Sequence, residues 1–259
     1  MFDEPGSPVF LLFWTFAIAL SLYALLVVQL RGPEDPPFAA VVRPLCVAYT
    51  RIFHRLRFVS PVKNPVPAEG PAILVSNHRS GVDPLLLGVV TRRRVRFLMA
   101  REYYETWGLE WAFRLLGCIP VNRDGSDLGA TKAALKALRA GEVIGIFPQG
   151  GIREAGSSLE GKAGAALLCL RTGAPVVPFY IDGSPNLDSV FLSLITPSHT
   201  TVTCGMPLLL GQGKEQKSSR EELEGVFASI LGAIEKLNPV ACASPLAAPD
   251  SPRPAANAL

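Results

Sequence analysis

The residues of this chain that are best suited to chemistry are a histidine and an aspartate that follow one apolar run. His78 comes directly after residues 73–77, and Asp83 stands five positions later. Imidazole titrates close to neutral pH, so it can take the proton of a hydroxyl group, which is otherwise a poor nucleophile. A carboxylate on the other ring nitrogen would fix the tautomer and stabilise the imidazolium. The pair therefore predicts general-base catalysis on an alcohol.

The elements around this pair are a strand and a helix joined by a polar turn. The run before His78 is apolar, while Asp83 and Pro84 have the residue types that open a helix as N-cap and first helical residue. In open parallel sheets, sites form outside the carboxyl ends of the strands. We therefore expect His78 to lie at such an end.

Strand-like and helix-like patterns alternate from residue 71 onward. The predicted strands cover residues 72–77, 95–100, 118–122, 143–148, 175–181 and 200–204, and the predicted helices cover residues 84–90, 103–115, 128–140 and 159–172. A final helix begins at a capping box, Ser219 with Glu222, and ends before Pro239. The alternation predicts an α/β fold with a mostly parallel sheet flanked by helices.

The amino-terminal segment has the composition of a membrane helix. Residues 9–30 carry no charge and are numerous enough to cross roughly 30 Å of hydrocarbon. A cleaved signal peptide is the competing interpretation, but Asp3 and Glu4 precede the run and no cleavage motif follows it. Arginines downstream of the run predict that the rest of the chain lies on the cytoplasmic face.

A basic amphipathic helix is predicted at residues 44–58, after a proline-rich hinge. Its two faces are an apolar one and a basic one, formed respectively by Leu45, Tyr49, Ile52, Phe53 and Leu56, and by Arg43, Arg51, His54 and Arg55. Such a helix can lie in the headgroup plane of a membrane, and it can equally cover a soluble core. His54 and His199 are expected to be structural.

Composition and charge exclude several classes of function. The chain has 25 Lys and Arg against 22 Asp and Glu, a net charge of +3, so no general nucleic-acid surface is expected. The five cysteines show no C-x-x-C spacing, which argues against a disulfide framework and against a structural zinc site. We expect reduced cysteines and no metal ligands.

The turn at residues 77–83, Asn-His-Arg-Ser-Gly-Val-Asp, resembles the N-H-x-S-x-x-D form of the H-x-x-x-x-D motif of glycerolipid acyltransferases. That family includes the lysophosphatidate acyltransferases. The resemblance implies that His78 is the general base, that Asp83 orients it, and that Ser80 binds substrate. It extends over about residues 70–182.

Two further blocks occur in the family's order. The run GCIPVNR, which ends at Arg123, looks like the family's G-x-I-x-I-x-R block, and it implies that Arg123 holds the phosphate of the acceptor. Residues 176–181 resemble a late V-x-P-V strand on the acyl-donor side, and a plain core strand is the alternative.

The run FPQGGIRE at residues 147–154 is similar to the family's F-P-E-G-T-R block but departs from it. Gln149 replaces glutamate, Gly151 replaces threonine, and Arg153 stands one place late. The resemblance implies that these residues bind substrate, with Arg153 on the phosphate, while Gly150 and Gly151 allow close backbone approach and amides that stabilise an oxyanion.

Other basic residues have two interpretations. Lys162 is either a further cation for the phosphate or a solvated helix residue. The arginines at 92–94, 96 and 101 suit anionic headgroups or a phosphate-bearing donor, and they can also form a solvated turn.

The resemblance implies an enzyme that moves a fatty acyl group from acyl-CoA or acyl carrier protein to 1-acylglycerol 3-phosphate and forms phosphatidate. No cofactor is expected; membrane lipids, the acceptor and the acyl donor are the partners. The alternatives are another acceptor, such as glycerol 3-phosphate, a lysophospholipid or a hydroxylated lipid, and a non-catalytic lipid-binding protein.

The chain is expected to have four segments. They are a membrane anchor at residues 1–31, a hinge with an interfacial helix at 32–69, an α/β acyltransferase domain at 70–239, and a disordered tail at 240–259 rich in Pro, Ala and Ser.

Overall fold

The computed structural model describes residues 8–30, 37–108, 110–122, 127–148, 159–187, 189–211, 213 and 218–239, and of these it leaves out the side chains of 8–14, 29–30, 37–39 and 159–163. The helices are α1 (Pro8–Leu30), α2 (Pro37–Ile52), α3 (Asp83–Val90), α4 (Arg101–Tyr104), α5 (Glu110–Leu116), α6 (Leu128–Arg139), α7 (Leu159–Thr172), α8 (Val190–Ile195) and α9 (Arg220–Glu235). The strands are β1 (Arg57–Val59), β2 (Ala72–Ser76), β3 (Val95–Ala100), β4 (Ile119–Val121), β5 (Val143–Ile146), β6 (Val176–Asp182) and β7 (Thr201–Cys204).

Within the described residues, the seven strands form one sheet in the order β1-β7-β6-β2-β5-β3-β4. The five strands from β6 to β4 are parallel, whereas β7 pairs antiparallel with β6 and β1 runs parallel to β7. The predicted α/β fold with a mostly parallel sheet flanked by helices is therefore confirmed.

The central strand β2 shows why its sequence is apolar throughout. All five of its residues are buried, because helices cover both faces of the sheet. Ile73 and Val75 pack on one face in a cluster with residues of α6, α7 and α9. Ala72 and Leu74 pack on the other face in a cluster that includes residues of α3. A strand buried in this way is a rigid support for the turn that follows it.

The parallel strands bring several turns to one edge of the sheet, which we call the carboxyl edge. It is defined by the residues that directly follow β2, β5, β3 and β4, namely Asn77, Phe147, Arg101 and Asn122. In parallel sheets, this edge is where ligand sites form. The turn at residues 77–83 starts from this edge, and the described parts of the two other blocks, which end at Asn122 and Pro148, reach it.

Helix α2 differs from the predicted amphipathic helix in both extent and orientation. It begins seven residues before the predicted start and ends at Ile52, because Arg55 adopts a positive φ of 44° and residues Arg57–Val59 form β1 instead. At the start of that strand, Arg57 N donates a hydrogen bond to Thr200 O at 2.9 Å. The sheet therefore starts before the predicted boundary at residue 70.

The predicted faces of this helix are partly exchanged. Arg43, assigned to the solvated basic face, donates hydrogen bonds to the carbonyls of Gly88 and Thr91 in the core domain. Leu45 and Ile52 are instead exposed, at 58% and 78% of their side-chain surface. Both kinds of side chain therefore occur on the packed side and on the exposed side of the helix.

His54 is one of the polar groups through which this region packs. It is fully buried, and its ring nitrogens lie 2.9 Å from Tyr49 Oη and 2.8 Å from Ser198 Oγ. Burial lowers the pKa of His54, because a charged ring would lose its hydration. His54 is thus a neutral structural group that connects the end of α2 to the segment before β7.

The helices after β3 and β6 were not fully predicted. The segment predicted as one helix at 103–115 is divided into α4 and α5, and Gly108 between them has a φ of 81°, which a helix interior does not accept. Helix α8 follows β6 in a stretch where the sequence shows no helical pattern. The last helix begins after the N-cap Ser219, as predicted, and ends at Glu235.

The amino-terminal helix α1 has the extent that the apolar run predicts, Pro8–Leu30. It contacts α2, and Tyr23 Oη donates a hydrogen bond to the carbonyl of Val41. Among the residues whose positions the structure describes, no helix meets the length and hydropathy that crossing a membrane requires. The segments at 31–36 and 240–259 lie outside the described residues.

Candidate active site

His78 and Asp83 meet in the turn that follows β2. His78 Nδ1 lies 3.0 Å from Asp83 Oδ2, and the His78 side chain is 16% exposed while Asp83 is fully buried. A carboxylate accepts hydrogen bonds, so we assign the ring hydrogen to Nδ1. That tautomer leaves a lone pair on Nε2, and a general base needs such a lone pair to accept a proton.

The buried carboxylate of Asp83 is held by backbone donors as well as by the imidazole. Asp83 Oδ2 accepts hydrogen bonds from Arg79 N at 2.7 Å and Ser80 N at 2.8 Å. Burying a carboxylate is costly unless such donors replace its lost water. Asp83 is the first residue of α3, and Val82 occupies the N-cap position that the sequence assigned to Asp83. The Asp83 side chain therefore points back along the chain and bonds to the backbone of the two residues that follow His78.

Asn77 fixes the start of the same turn to the neighbouring strand. Its Nδ2 donates to Ile181 O at 2.8 Å, and its Oδ1 accepts from Ile181 N at 2.7 Å. The amide thus satisfies both backbone groups of one residue in β6, as another strand would. His78 is therefore placed relative to two strands of the sheet and not to β2 alone.

Ser80 was predicted to bind substrate, and the structure places it inside the turn. It is fully buried, and its backbone N–H is bonded to Asp83. Within the described part of the chain, Ser80 Oγ and Asp83 Oδ1 have no hydrogen-bond partner. The geometry shows no open side of Ser80 toward a ligand, so its substrate contact stays a prediction, and its visible interaction supports Asp83.

Gly81 allows α8 to approach the turn closely. A Cβ built on Gly81 would lie 2.6 Å from Val190 Cα and 2.9 Å from Val190 Cβ, at the first residue of α8. Since the obstacle is backbone, one of the two segments would have to move. The glycine of this turn is thus a packing requirement that the motif alone did not reveal.

Replacing Gly81 with alanine should lower acyl-transfer turnover by at least about 10-fold, because displacing a catalytic turn by a fraction of an ångström misaligns the base. The matched control is Gly88→Ala in α3, where a Cβ meets nothing within 4 Å. Turnover and thermal denaturation of both variants would be measured. Equal turnover in the two variants would contradict the requirement for close approach at Gly81.

Phe147, the first residue of the third block, lies against the base. Its ring and the His78 ring are stacked, with centroids 4.1 Å apart and planes 19° apart. In the sequence, Phe147 served only to align residues 147–154 with the family's F-P-E-G-T-R block. Its position after β5, beside β2 in the sheet, is what brings it to His78.

The remaining predicted site residues lie outside the described residues. They are Arg123, Gln149, Gly150, Gly151 and Arg153, and the side chain of Lys162 is likewise not described. The described residues that precede them, Asn122 and Pro148, follow β4 and β5 at the carboxyl edge. Their predicted roles therefore stay predictions.

Asp127 connects the two sides of the segment that contains Arg123. Its Oδ1 accepts from Ala130 N at 2.8 Å as the N-cap of α6, and its Oδ2 accepts from Asn122 N at 2.9 Å after β4. These backbone N–H groups, first that of Ala130 and then that of Asn122, hold the pKa of the Asp127 carboxyl below its usual value. The carboxylate thereby holds Asn122 and the start of α6 at fixed positions relative to each other.

Most of the basic run at 92–101 is used by the fold. Arg93 is buried and donates to the carbonyls of Pro67, Gly70 and Gly141. Arg94 and Arg96 donate to carbonyls at 115–117, and Arg96 Nη1 also lies 2.5 Å from Glu142 Oε2. These three arginines lie at the start of β3, at the end of the sheet opposite His78. Neither the predicted headgroup site nor a simple solvated turn describes them.

The described residues contain no group of His, Cys, Asp and Glu side chains that could hold a metal ion. Cys46, Cys118, Cys169 and Cys204 are free thiols, and Cys242 lies outside the described residues. Burial raises the pKa of Cys169 to about 11 and that of Cys204 to about 12. These two thiols are therefore protonated packing groups at neutral pH.

Comparison with known proteins places this site in a family. The family model described as Acyltransferase matches residues 59–182, which include the turn at 77–83 and extend to the end of β6. The chain is 25% identical over 130 residues to the 1-acyl-sn-glycerol-3-phosphate acyltransferase of Bacillus subtilis, which covers 50% of this chain and 64% of that protein. It is 25% identical over 176 residues to a chloroplastic 1-acyl-sn-glycerol-3-phosphate acyltransferase of Arabidopsis thaliana, with 67% and 49% covered.

An uncharacterised protein of Mycobacterium tuberculosis is 32% identical over 171 residues, which cover 59% of this chain and 44% of that protein. The chain thus spans about two thirds or less of the length of these curated relatives. The crystal structure of the 1-acyl-sn-glycerophosphate acyltransferase PlsC from Thermotoga maritima has the same fold, with a TM-score of 0.57 and 22% identity over 88% of this chain and 95% of that chain.

Fold, turn and family model agree on the class of protein: an α/β domain with a His and Asp pair at the carboxyl edge of its sheet. Residues 59–182 match the acyltransferase family model, and the proteins to which the chain is similar include 1-acyl-sn-glycerol-3-phosphate acyltransferases.

Proposed function

We propose that this protein transfers a fatty acyl group from an acyl thioester to the free hydroxyl of 1-acylglycerol 3-phosphate and forms phosphatidate. The observation that carries the proposal is the contact of 3.0 Å between His78 Nδ1 and Asp83 Oδ2 in the family's motif. The named activities of the relatives from Bacillus subtilis and Arabidopsis thaliana support the choice of acceptor. Acyl-CoA or acyl carrier protein would supply the thioester.

In the proposed reaction, His78 Nε2 takes the proton of the acceptor hydroxyl while the hydroxyl oxygen attacks the thioester carbonyl carbon. The resulting oxyanion collapses, the C–S bond breaks, and the thiolate leaves and takes the proton from the imidazolium. Asp83 keeps the ring in the productive tautomer and stabilises its positive charge. This sequence of steps forms no acyl-enzyme intermediate and asks for no metal ion or tightly bound cofactor.

Binding of the acceptor phosphate is assigned to Arg123 and Arg153, because a guanidinium donates two parallel hydrogen bonds to a phosphate. The strands that lead to both arginines end at the carboxyl edge, as does the strand before His78. Gly150 and Gly151 would supply backbone N–H groups to the oxyanion. Gln149, which stands where the family has glutamate, keeps hydrogen-bonding capacity without the charge.

The altered sequence at residues 149–153 is the observation that favours a different acceptor, because these residues are proposed to bind the acceptor. Glycerol 3-phosphate, a lysophospholipid and a hydroxylated lipid are the alternatives. The purified full-length chain would be assayed with one acyl thioester and a panel of these acceptors beside 1-acylglycerol 3-phosphate. We expect the highest kcat/KM with 1-acylglycerol 3-phosphate. Turnover equal to the blank with this acceptor would overturn the assignment.

The proposal includes a membrane location, with α1 as the single anchor and the catalytic domain on the cytoplasmic face. Its support is the uncharged run at 9–30, together with the exposed apolar side chains of α1 and α2, for example Phe16, Leu45 and Ile52. The outward side chains of α2 would then contact lipid, while Arg43 and His54 hold the helix on the domain.

Deletion of residues 1–31 should release part of the protein from membranes and leave the rest bound to anionic vesicles, because α2 would still present its apolar side chains. The measurement is co-sedimentation of the truncated chain with vesicles at low salt. Adding Leu45→Glu and Ile52→Glu to the truncated chain should release it further. A truncated chain that stays entirely in the supernatant at low salt would contradict an interfacial role for α2.

A further inference from the structure

His78 is the outermost of three stacked aromatic rings, which run from the carboxyl edge into the sheet. The His78 and Phe147 centroids are 4.1 Å apart with planes at 19°, and those of Phe147 and Phe97 are 5.9 Å apart with planes at 10°. The rings come from three adjacent parallel strands, since His78 follows β2, Phe147 follows β5, and Phe97 belongs to β3. The stack therefore runs across three strands, from the carboxyl edge at His78 and Phe147 to Phe97 within β3.

The inner end of the stack is fixed by packing. Phe97 is 7% exposed, and its ring lies over Gly145, where a Cβ would come within 2.5 Å of ring carbons Cδ1 and Cε1. Phe97 and Gly145 are register partners in β3 and β5. Any larger residue at 145 would displace the Phe97 ring. The glycine thus creates the space in which Phe97 supports Phe147.

The hydrogen bond to Asp83 and the stack constrain different motions of the imidazole. The bond from Nδ1 to Asp83 Oδ2 fixes one ring atom but leaves the ring plane able to rotate about the line between the two atoms. A ring stacked on one face prevents that rotation. Nε2 lies close to the extension of that line, but its lone pair points at an angle to it, so the ring plane determines the direction in which the lone pair points.

We propose that Phe147 is a positioning residue of the acyltransferase reaction, which sets the plane of the His78 ring and so aims Nε2 at the acceptor hydroxyl. Its ring face also lies against the imidazolium that forms when the proton is taken, and aromatic faces attract cations. The inference rests on the proposed function for its kinetic part, whereas the ring geometry can be tested without turnover.

The kinetic test compares Phe147→Leu with Phe147→Tyr in the full-length chain. The leucine variant should lose about 10-fold in kcat, on the scale of a lost aromatic pair, with KM changed less than about twofold. The tyrosine variant keeps the ring face and should stay within about threefold of the native kcat. Phe147 also precedes the turn at 149–153, so a raised KM with unchanged kcat would mean that it acts on acceptor binding, and it would overturn the proposal.

The matched control is Phe113→Leu in α5. Phe113 is partly buried against the same core cluster as Phe147, and its ring pairs with Tyr104 at a centroid distance of 6.3 Å and an interplanar angle of 32°. Its loss should lower thermal stability while kcat stays within about twofold of native. An equal loss of kcat in the Phe113 and Phe147 leucine variants would show a packing effect only, and would also overturn the proposal.

The spectroscopic test uses histidine-labelled full-length protein in lipid nanodiscs, with the His78 ring signals identified by their absence in His78→Ala. In the native protein, the carbon-bound ring protons of His78 should be shifted upfield by the Phe147 ring current. The shift should persist in Phe147→Tyr and disappear in Phe147→Leu. An unchanged spectrum in Phe147→Leu would refute the stack even if the enzyme is active, whereas absent turnover with the expected shifts would refute the proposed function alone.

Discussion

Replacing His78 with alanine lowers acyl-transfer turnover by at least about 10²-fold, which is the scale of a positioned general base. The reason is that no other described side chain at the carboxyl edge presents a ring nitrogen held by a buried carboxylate. The measurement is single-acceptor turnover with 1-acylglycerol 3-phosphate and an acyl thioester. The fold should be retained, because His78 is a partly exposed residue in a turn that other groups hold together.

His199→Ala is the matched control for the loss of a histidine. His199 is exposed and contacts Arg55, away from the turn at 77–83, so its removal should leave turnover within about twofold of native. Native turnover in His78→Ala would remove the proposed mechanism. It would favour instead the non-catalytic interpretation, in which the fold binds lipid.

Replacing Asp83 with asparagine lowers turnover by at least about 10²-fold as well, because an amide can present N–H where the imidazole and two backbone groups need an acceptor. A nitrogen facing Nδ1–H would turn the ring or its tautomer and remove the lone pair from Nε2. The turn should also lose about 1–3 kcal/mol of stability, since buried donors lose their acceptor. Turnover and thermal denaturation would be measured on the same preparation.

Asp182→Asn is the control for the loss of a carboxylate near the site. Asp182 is half exposed and pairs with Arg79 at 3.4 Å, a contact that solvent weakens. That variant should keep turnover within about twofold of native. If Asp83→Asn were as active as Asp182→Asn, Asp83 would not orient the base. His78 would then act without a carboxylate partner.

The sequence predicted the strands well where burial is complete. The run at 72–75 reads as a strand because helices cover both faces of a parallel sheet, so all of its positions are apolar and buried. Residues 57 and 58 were predicted as the end of a helix, because residues 57–59 become a strand only through pairing with β7, far along the chain. Long-range pairing of that kind leaves no local pattern.

The faces of α2 show a second limit. A helical wheel separates basic from apolar side chains but does not say which side meets the protein, and here Arg43 and His54 find carbonyl and hydroxyl partners inside. Burial of polar groups is acceptable where each finds a partner, and those partners come from distant segments. The wheel therefore left open which side chains meet the protein, and the structure buries part of each predicted face.

For the candidate site, the motif predicted which residues are present, and the structure added how they are held. Asn77 and Gly81 belong to the motif segment, yet their partners Ile181 and Val190 lie about a hundred residues away. Phe147 carried a signal in its block, but its contact with His78 depends on the order of strands in the sheet. The roles of Asn77, Gly81 and Phe147 depend on which strands and helices are neighbours in the fold, and a single sequence does not reveal that order.

The side-chain amide of Asn77 has a consequence for which parts of the site can change in sequence without moving His78. By bonding both backbone groups of Ile181, it makes the turn that bears His78 part of the sheet's own ladder, through contacts that do not involve residues 123 or 149–153. Under the proposed function, substitutions at those positions, such as Gln149 and the late Arg153, would alter acceptor binding while His78 keeps its place.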